Sequence, residues 1–243
     1  YTVNQYGEGT AAGAERGNSL FYQWGRKDPF PVDWADFQMY HSHTISTAAA
    51  ANTNGNLQTN LNNVAGMRAD HAIKQPYTIF KNATTHHWLQ GTDNNALIGN
   101  LWDASLVPYR IADQNANPIK SVYDPSPRGF VVPKIGDYSG FSTSSPSNYV
   151  NNEGWYFGTG SGTVFFPLAG GQNESGTALS GGYYWSTTSY GHIIRAANYP
   201  TTPDQPEPHK YESKTIEFNG TTVNTLVPHY KDELLPVRPV VQT

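Results

Sequence analysis

Cysteine is absent from all 243 residues, which excludes disulfides, thiolate metal sites and cysteine nucleophiles. Charge is scarce, at 14% Asp, Glu, Lys and Arg, with a formal net charge of −4. No run of Lys or Arg exceeds two residues. Electrostatic nucleic-acid binding needs clustered cations along a backbone-tracking face, so no nucleic-acid partner is expected. A polybasic membrane anchor is excluded on the same ground. No apolar run approaches the roughly 18 residues a membrane helix needs, so no membrane insertion is expected. The opening "YTVNQYGEG" carries no secretory leader, as a mature or trimmed chain would not. The "KDEL" at Lys231–Leu234 is internal and carries no retention signal, which is read at a C-terminus.

What is present points to β structure. Gly and Pro number 23 and 17, and aromatics reach 13% with 6 Trp and 16 Tyr. Together with abundant Asn, Ser and Thr, this composition predicts short strands, long polar loops and aromatic anchors. Phe21–Trp24, Thr163–Leu168 and "RGFVVP" (Arg128–Pro133) read as strands. "KTIEF" and "TTVNTLV" flank Asn219–Gly220, a strong hairpin signal. "LLPVRPVV" reads as a last strand, at an edge or irregular because of its prolines. In "GGYYWSTTS", Tyr183 and Trp185 should share one face, with Tyr184 and Ser186 on the other. The first face is expected in the core and the second under or within a binding surface. Residues 1–243 read as one domain, with 1–19 a divergent or truncated segment. Residues 41–66 form an Asn-, Thr- and Ala-rich insertion, with a short helix open over Thr47–Ala51.

The stretch "SLFYQWGRKDPFP" (Ser19–Pro31) sets three charges directly after an aromatic run. Tyr22 and Trp24 read as core, Gly25 as a tight turn, and the prolines as a stiff exit. Arg26 is expected to pair with Asp28 or cap nearby carbonyls, with ligand binding as the rival role.

Catalytic patterns are poor: there is no G-x-S-x-G elbow and no H-E-x-x-H, and "GTGSG" (Gly158–Gly162) lacks the Lys and Ser/Thr of a nucleotide loop. The carboxylate pairs Asp33/Asp36 and Asp232/Glu233 are not placed across a cleft by anything in the sequence. The chain is therefore read as non-enzymatic. On one strand, His41 and His43 would share a face, and the adjacent His86 and His87 would diverge. Neither pair reaches the three or four ligands zinc requires, so no metal ligands are assigned and no cofactor is expected. Calcium held by scattered loop oxygens stays open. The polar loops mix Tyr and Trp with Asn, Ser and Gly, which gives rigid amphipathic contact area and adaptable hydrogen bonds. Trp155, Tyr156, Tyr190, His192, Tyr199 and Tyr211 are the candidate ligand contacts. The competing role for each is to pin its loop to the body.

Seven segments, in order, resemble one family: "LFYQWGRKDPF", "AIKQPYTIF", "NLWDA", "VYDPSPRGFVVP", "FFPLAG", "GYYWSTTS" and "LPVRPV". Together they resemble the Fibrobacter succinogenes major paralogous domain of Bacteroidetes surface proteins, from about residue 20 onward. Ser126 stands where that family usually has a cysteine. The resemblance implies an α+β, C-type-lectin-like fold related to formylglycine-generating enzymes, β-dominated with few helices. Formylglycine generation uses active-site cysteines and is excluded here. Calcium-dependent lectins of the related fold carry "E-P-N" or "Q-P-D" followed by "W-N-D". "DQPEP" at Asp204–Pro208 echoes only the first part. The resemblance further implies an extracellular or outer-membrane recognition module, in an adhesin or pilus tip. Its partners would be a glycan or protein ligand and other pilus subunits. The alternatives are a variable protein of a diversity-generating retroelement, a carbohydrate-active enzyme, and a structural surface module without ligand.

Overall fold

The computed structural model of the protein describes residues 19–33, 38–41, 44–47, 57–58, 73, 79–80, 88, 101–104, 117–144, 148–151, 153–158, 162, 164–189 and 212–242. The chain is β-dominated, in several small sheets that are antiparallel with one exception. Strands β1 (Ser19–Tyr22), β2 (Phe30–Asp33), β3 (Gln38–His41) and β4 (Thr44–Thr47) run side by side. The exception is the parallel pair β5 (Leu57–Gln58) and β6 (Ile79–Phe80). The two-residue strand β7 (Phe130–Val131) comes next, followed by a 3-10 turn at Ile135–Tyr138. Strands β8 (Asn148–Val150), β9 (Gly154–Phe157) and β10 (Val164–Pro167) form a three-stranded sheet. After the short β11 (Gly171–Gln172) and β12 (Ala178–Leu179), a second three-stranded sheet holds β13 (Gly182–Ser189), β14 (Glu212–Phe218) and β15 (Val223–Tyr230). Strand β16 (Leu235–Pro236) returns to pair with β1, and β17 (Val240–Val241) pairs with β7.

Several expectations from the sequence are met. The Asn219–Gly220 signal closes the β14–β15 hairpin, where the Asn219 side chain accepts from the N–H groups of Thr221 and Thr222 at 2.9 and 3.0 Å. Strand β10 occupies most of Thr163–Leu168. The prolines of the C-terminal run hold β16 and β17 to two residues each. One expectation is corrected. Thr47, offered as the start of a helix, lies in β4, while Ala48–Ala51 fall outside the described residues. His41 ends β3, and His43, His86 and His87 lie outside the described residues.

The "YQWGR" segment leaves β1 and loses its ladder partners, yet it is buried throughout. Its carbonyls are satisfied by indoles instead. Trp185 Nε1 donates to the Tyr22 carbonyl at 2.8 Å, Trp88 Nε1 to that of Trp24 at 2.6 Å, and Trp102 Nε1 to that of Arg26 at 3.0 Å. Trp24 itself donates to the Ser186 carbonyl at 2.8 Å. That carbonyl lies in the part of β13 where the register with β14 shifts, so the irregularity supplies the acceptor. Gly25 takes φ +87, and a Cβ there would meet the Leu101 side chain at 2.4 Å. Only glycine fits the turn. These tryptophans form one core with Leu101, Val132, Tyr183 and Leu235.

A second core lies on the other face of β13. Tyr184, Ile216 and Phe218 meet Trp155, Phe157, Phe166 and Tyr138 there. Phe166 sets its edge against Tyr184 and Phe157 at centroid distances of 5.0 and 5.8 Å. The alternation along "GYYWS" is as expected, and the Tyr184 face lies packed beneath the β8–β9–β10 sheet.

Between the cores, the "DPSPRG" turn is held by Asp124. Its buried carboxylate accepts from Ser126 N at 2.7 Å, Val132 N at 3.0 Å and Lys120 Nζ at 3.0 Å. Ser126 Oγ is enclosed with no hydrogen-bond partner, which costs stability.

Two outcomes follow for urea denaturation. Trp102→Phe leaves the Arg26 carbonyl without its donor and should lower stability by about 1–3 kcal/mol. Ser126→Ala removes an unsatisfied buried hydroxyl and should raise stability by about 1 kcal/mol.

Candidate binding surface

Strands β9 and β10 pair Tyr156 with Phe165 and Trp155 with Phe166. Successive strand side chains point to opposite faces. Trp155 and Phe166 therefore fill the second core, while Tyr156 and Phe165 turn outward. Their rings lie 4.8 Å apart at 45°, and both side chains are half-buried. Gly154 makes this possible: a Cβ there would sit 2.9 Å from the tip of the Phe165 ring and 2.2 Å from the Phe166 carbonyl. The result is a tilted aromatic pair on a sheet whose reverse side is fixed in the core. Such a surface offers apolar, polarizable contact area with one hydroxyl, at little ordering cost.

The six sequence candidates divide accordingly. Tyr156 stands on the outward face. Trp155 is buried, stacks on Phe157 at 6.0 Å, and donates its indole N–H to the Asn219 carbonyl at 2.7 Å. It pins the β14–β15 hairpin, the competing role weighed for it. Adjacent strand residues cannot share a face, so Trp155 and Tyr156 could not both meet one ligand from β9. Tyr190, His192, Tyr199 and Tyr211 lie outside the described residues. Strands β13 and β14, which their segment joins, are paired at Ser189 and Ser213. Phe165 carries only a strand signal in the sequence, and its position directly beside Phe166 is what alternation splits between the two faces.

Arg26 belongs to the fold. It is 2% exposed, lies over the Phe30 ring at 4.8 Å and the Trp88 ring at 5.8 Å, and donates to Gln23 Oε1 at 3.2 Å. Burial pulls its guanidinium down to about 10, against the opposing pull of Asp28.

The charged run Lys231–Asp232–Glu233 is also buried. Composition gives no warning of this, since a charge run ordinarily marks a solvated face. Its backbone is consumed by partners distant in sequence. Trp24 N–H donates to the Lys231 carbonyl at 3.2 Å, and Gln23 Nε2 to the Asp232 carbonyl at 2.9 Å. Glu233 closes the turn by accepting from Tyr230 N at 3.1 Å, and it contacts His229 Nδ1 at 2.7 Å. His229 Nε2 is enclosed and faces Glu217 at 4.0 Å. Tyr183, against the same imidazole, is pushed up to about 12 by burial and then by Glu217. The imidazole is thus held between two carboxylates, with its side chain 13% exposed. Among the described residues, no group of three or more His, Asp and Glu is arranged to hold a metal ion. No helix among them is long and apolar enough to cross a membrane.

No family model, curated protein or solved structure matches this chain.

Lys231 carries an electrostatic cost of its own. Its ammonium lies 4.5 Å from the Trp24 ring centre, and burial pulls it from 10.5 to about 7 despite the favourable charge of Glu212. The folded state therefore releases a proton that the unfolded chain still holds between pH about 7 and about 10.5. Stability should rise with pH across that window, and the full penalty is present below it. Lys231→Met should flatten this rise and raise stability at pH 7 by on the order of 1–4 kcal/mol. Urea midpoints at pH 7, 8 and 9 for both proteins check the slope and its loss.

Proposed function

We propose that the chain is a non-catalytic recognition module of a bacterial cell-surface or pilus-tip adhesin, built on a C-type-lectin-like frame and binding a glycan. The observation that carries this reading is the outward pair Tyr156–Phe165 at 4.8 Å, held on a sheet whose other side is core. A sugar ring presents an apolar face of C–H groups that stacks on such a pair, and its hydroxyls take hydrogen bonds from polar side chains at the rim. Function placed on the face of a rigid scaffold matches β9 and β10, whose reverse side is anchored in the second core. The bacterial surface location and the specific frame rest on the resemblance of the seven ordered segments. A protein ligand is the second recognition class consistent with the same aromatic pair.

The test is a glycan array with the purified chain, run with calcium and with chelator. Tyr156→Ala and Phe165→Ala should each weaken any glycan bound by about tenfold or more, since base- or ring-stacking contacts are worth roughly 1–3 kcal/mol. Neither residue belongs to the cores, so both variants should keep the wild-type unfolding midpoint within about 1 kcal/mol. Silence across the array in both arms would remove the glycan reading. Binding retained in both variants would move the site away from this face. The chelator arm reads calcium directly.

A further inference from the structure

The tip of the β14–β15 hairpin carries Asn219–Gly220, with Asn219 exposed. Its chemistry does not depend on the recognition reading above. Asparagine is a chemically labile residue, because the main-chain nitrogen that follows it can attack its side-chain amide. Glycine leaves that nitrogen unshielded, since it carries no side chain.

The turn uses both residues. Asn219 Oδ1 accepts from Thr221 N–H at 2.9 Å, from Thr221 Oγ1 at 3.0 Å and from Thr222 N–H at 3.0 Å. Gly220 lies under Tyr149, where a Cβ would press on the ring and hydroxyl at 3.1 Å. The labile pair is therefore written into the hairpin by two separate contacts. The same contacts hold the reacting groups still. Attack of Gly220 N on Asn219 Cγ closes a five-membered imide, and that ring dictates the rotations about the Cα–Cβ and Cα–C bonds of Asn219. In the hairpin other partners set those rotations. The Asn219 carbonyl accepts Trp155 Nε1–H at 2.7 Å, the Asn219 N–H donates to the Thr222 carbonyl at 3.0 Å, and Oδ1 keeps its three donors.

We propose that Asn219 is a self-modification site gated by this hairpin. Gly220 N closes on Asn219 Cγ when Trp155 releases the Asn219 carbonyl, and the product keeps the hairpin from closing as before. The Gly220 amide gives up its proton, its nitrogen bonds to Cγ, and the Cγ–Nδ2 bond breaks, with that proton leaving in ammonia. Water then opens the imide at either carbonyl, giving aspartate or isoaspartate without oxidant or reductant. Isoaspartate routes the main chain through Cβ and Cγ, one atom longer. That displaces the carbonyl from Trp155 and Gly220 from Tyr149, and a buried indole N–H left without its acceptor costs stability.

Peptide mapping after incubation at neutral pH reads isoaspartate at Asn219, separately from Asn54–Gly55, the chain's other Asn-Gly pair. The folded chain should react at least about tenfold more slowly than a capped peptide of the same hairpin tip. Trp155→Phe keeps a ring in the core but removes the donor, and should raise the folded-state rate about tenfold. Thr221→Val deletes one donor to Oδ1 outside the core and should move the rate in the same direction. Trp102→Phe weakens the other core and should leave the rate within about twofold of wild type, which controls for unfolding of the whole chain. The purified isoaspartate form should unfold at lower urea than Asn219→Asp, which carries the same charge on an unaltered main chain. A folded chain as fast as the peptide, or wild-type rates in both Trp155→Phe and Thr221→Val, overturns the gate. Equal acceleration by Trp155→Phe and Trp102→Phe overturns it as well, by making global unfolding the route. An isoaspartate form as stable as Asn219→Asp overturns the effect assigned to the product.

Discussion

The structure depends on how three carbonyls, those of Tyr22, Trp24 and Arg26, find donors after β1 ends. A buried backbone without a ladder is costly unless each polar group is met. Here three indole N–H groups, from Trp185, Trp88 and Trp102, meet every second carbonyl. Each donor brings a large apolar ring with it, so satisfying the backbone and filling the core are one act. All five tryptophans among the described residues donate to a main-chain carbonyl, Trp24 and Trp155 included. Tryptophan in this chain works as a cross-link between segments.

Sheet β13–β14–β15 separates the two cores and belongs to both. Tyr183 and Trp185 face the tryptophan core, while Tyr184, Ile216 and Phe218 face the phenylalanine-rich one. Where the β13 ladder breaks, serines take over: Ser186 Oγ donates to the Lys214 carbonyl at 2.6 Å, and Ser213 Oγ to the Thr188 carbonyl at 2.8 Å. The β8–β9–β10 sheet packs its inner face on the second core, which anchors the strands that carry the outward Tyr156–Phe165 pair.

Much of this was legible in the sequence wherever chemistry is local. The Asn219–Gly220 hairpin, the two faces of "GYYWS" and the proline-limited strands β16 and β17 follow from turn residues and a period of two. The core role of Tyr22, Trp24 and Gly25 followed from residue type. The site is less legible, because composition groups Trp155 with Tyr156 although strand alternation separates them, and Phe165 looks like any other apolar strand residue. The burial of Lys231, Asp232 and Glu233 could not be read at all. It is imposed by Gln23 and Trp24 from the other end of the chain, and no short-range pattern encodes a partner 209 residues away.

That pairing sets the order of events during folding. Strand β1 registers Phe21 with Pro236, so the first described strand has no complete sheet until more than 200 further residues are made. Contacts this distant carry a large loop-closure cost before any reward and slow the search for the native state. A nascent chain emerging from N- to C-terminus therefore cannot close its tryptophan core before the "LLPVRP" segment is made, because Leu235 is part of that core.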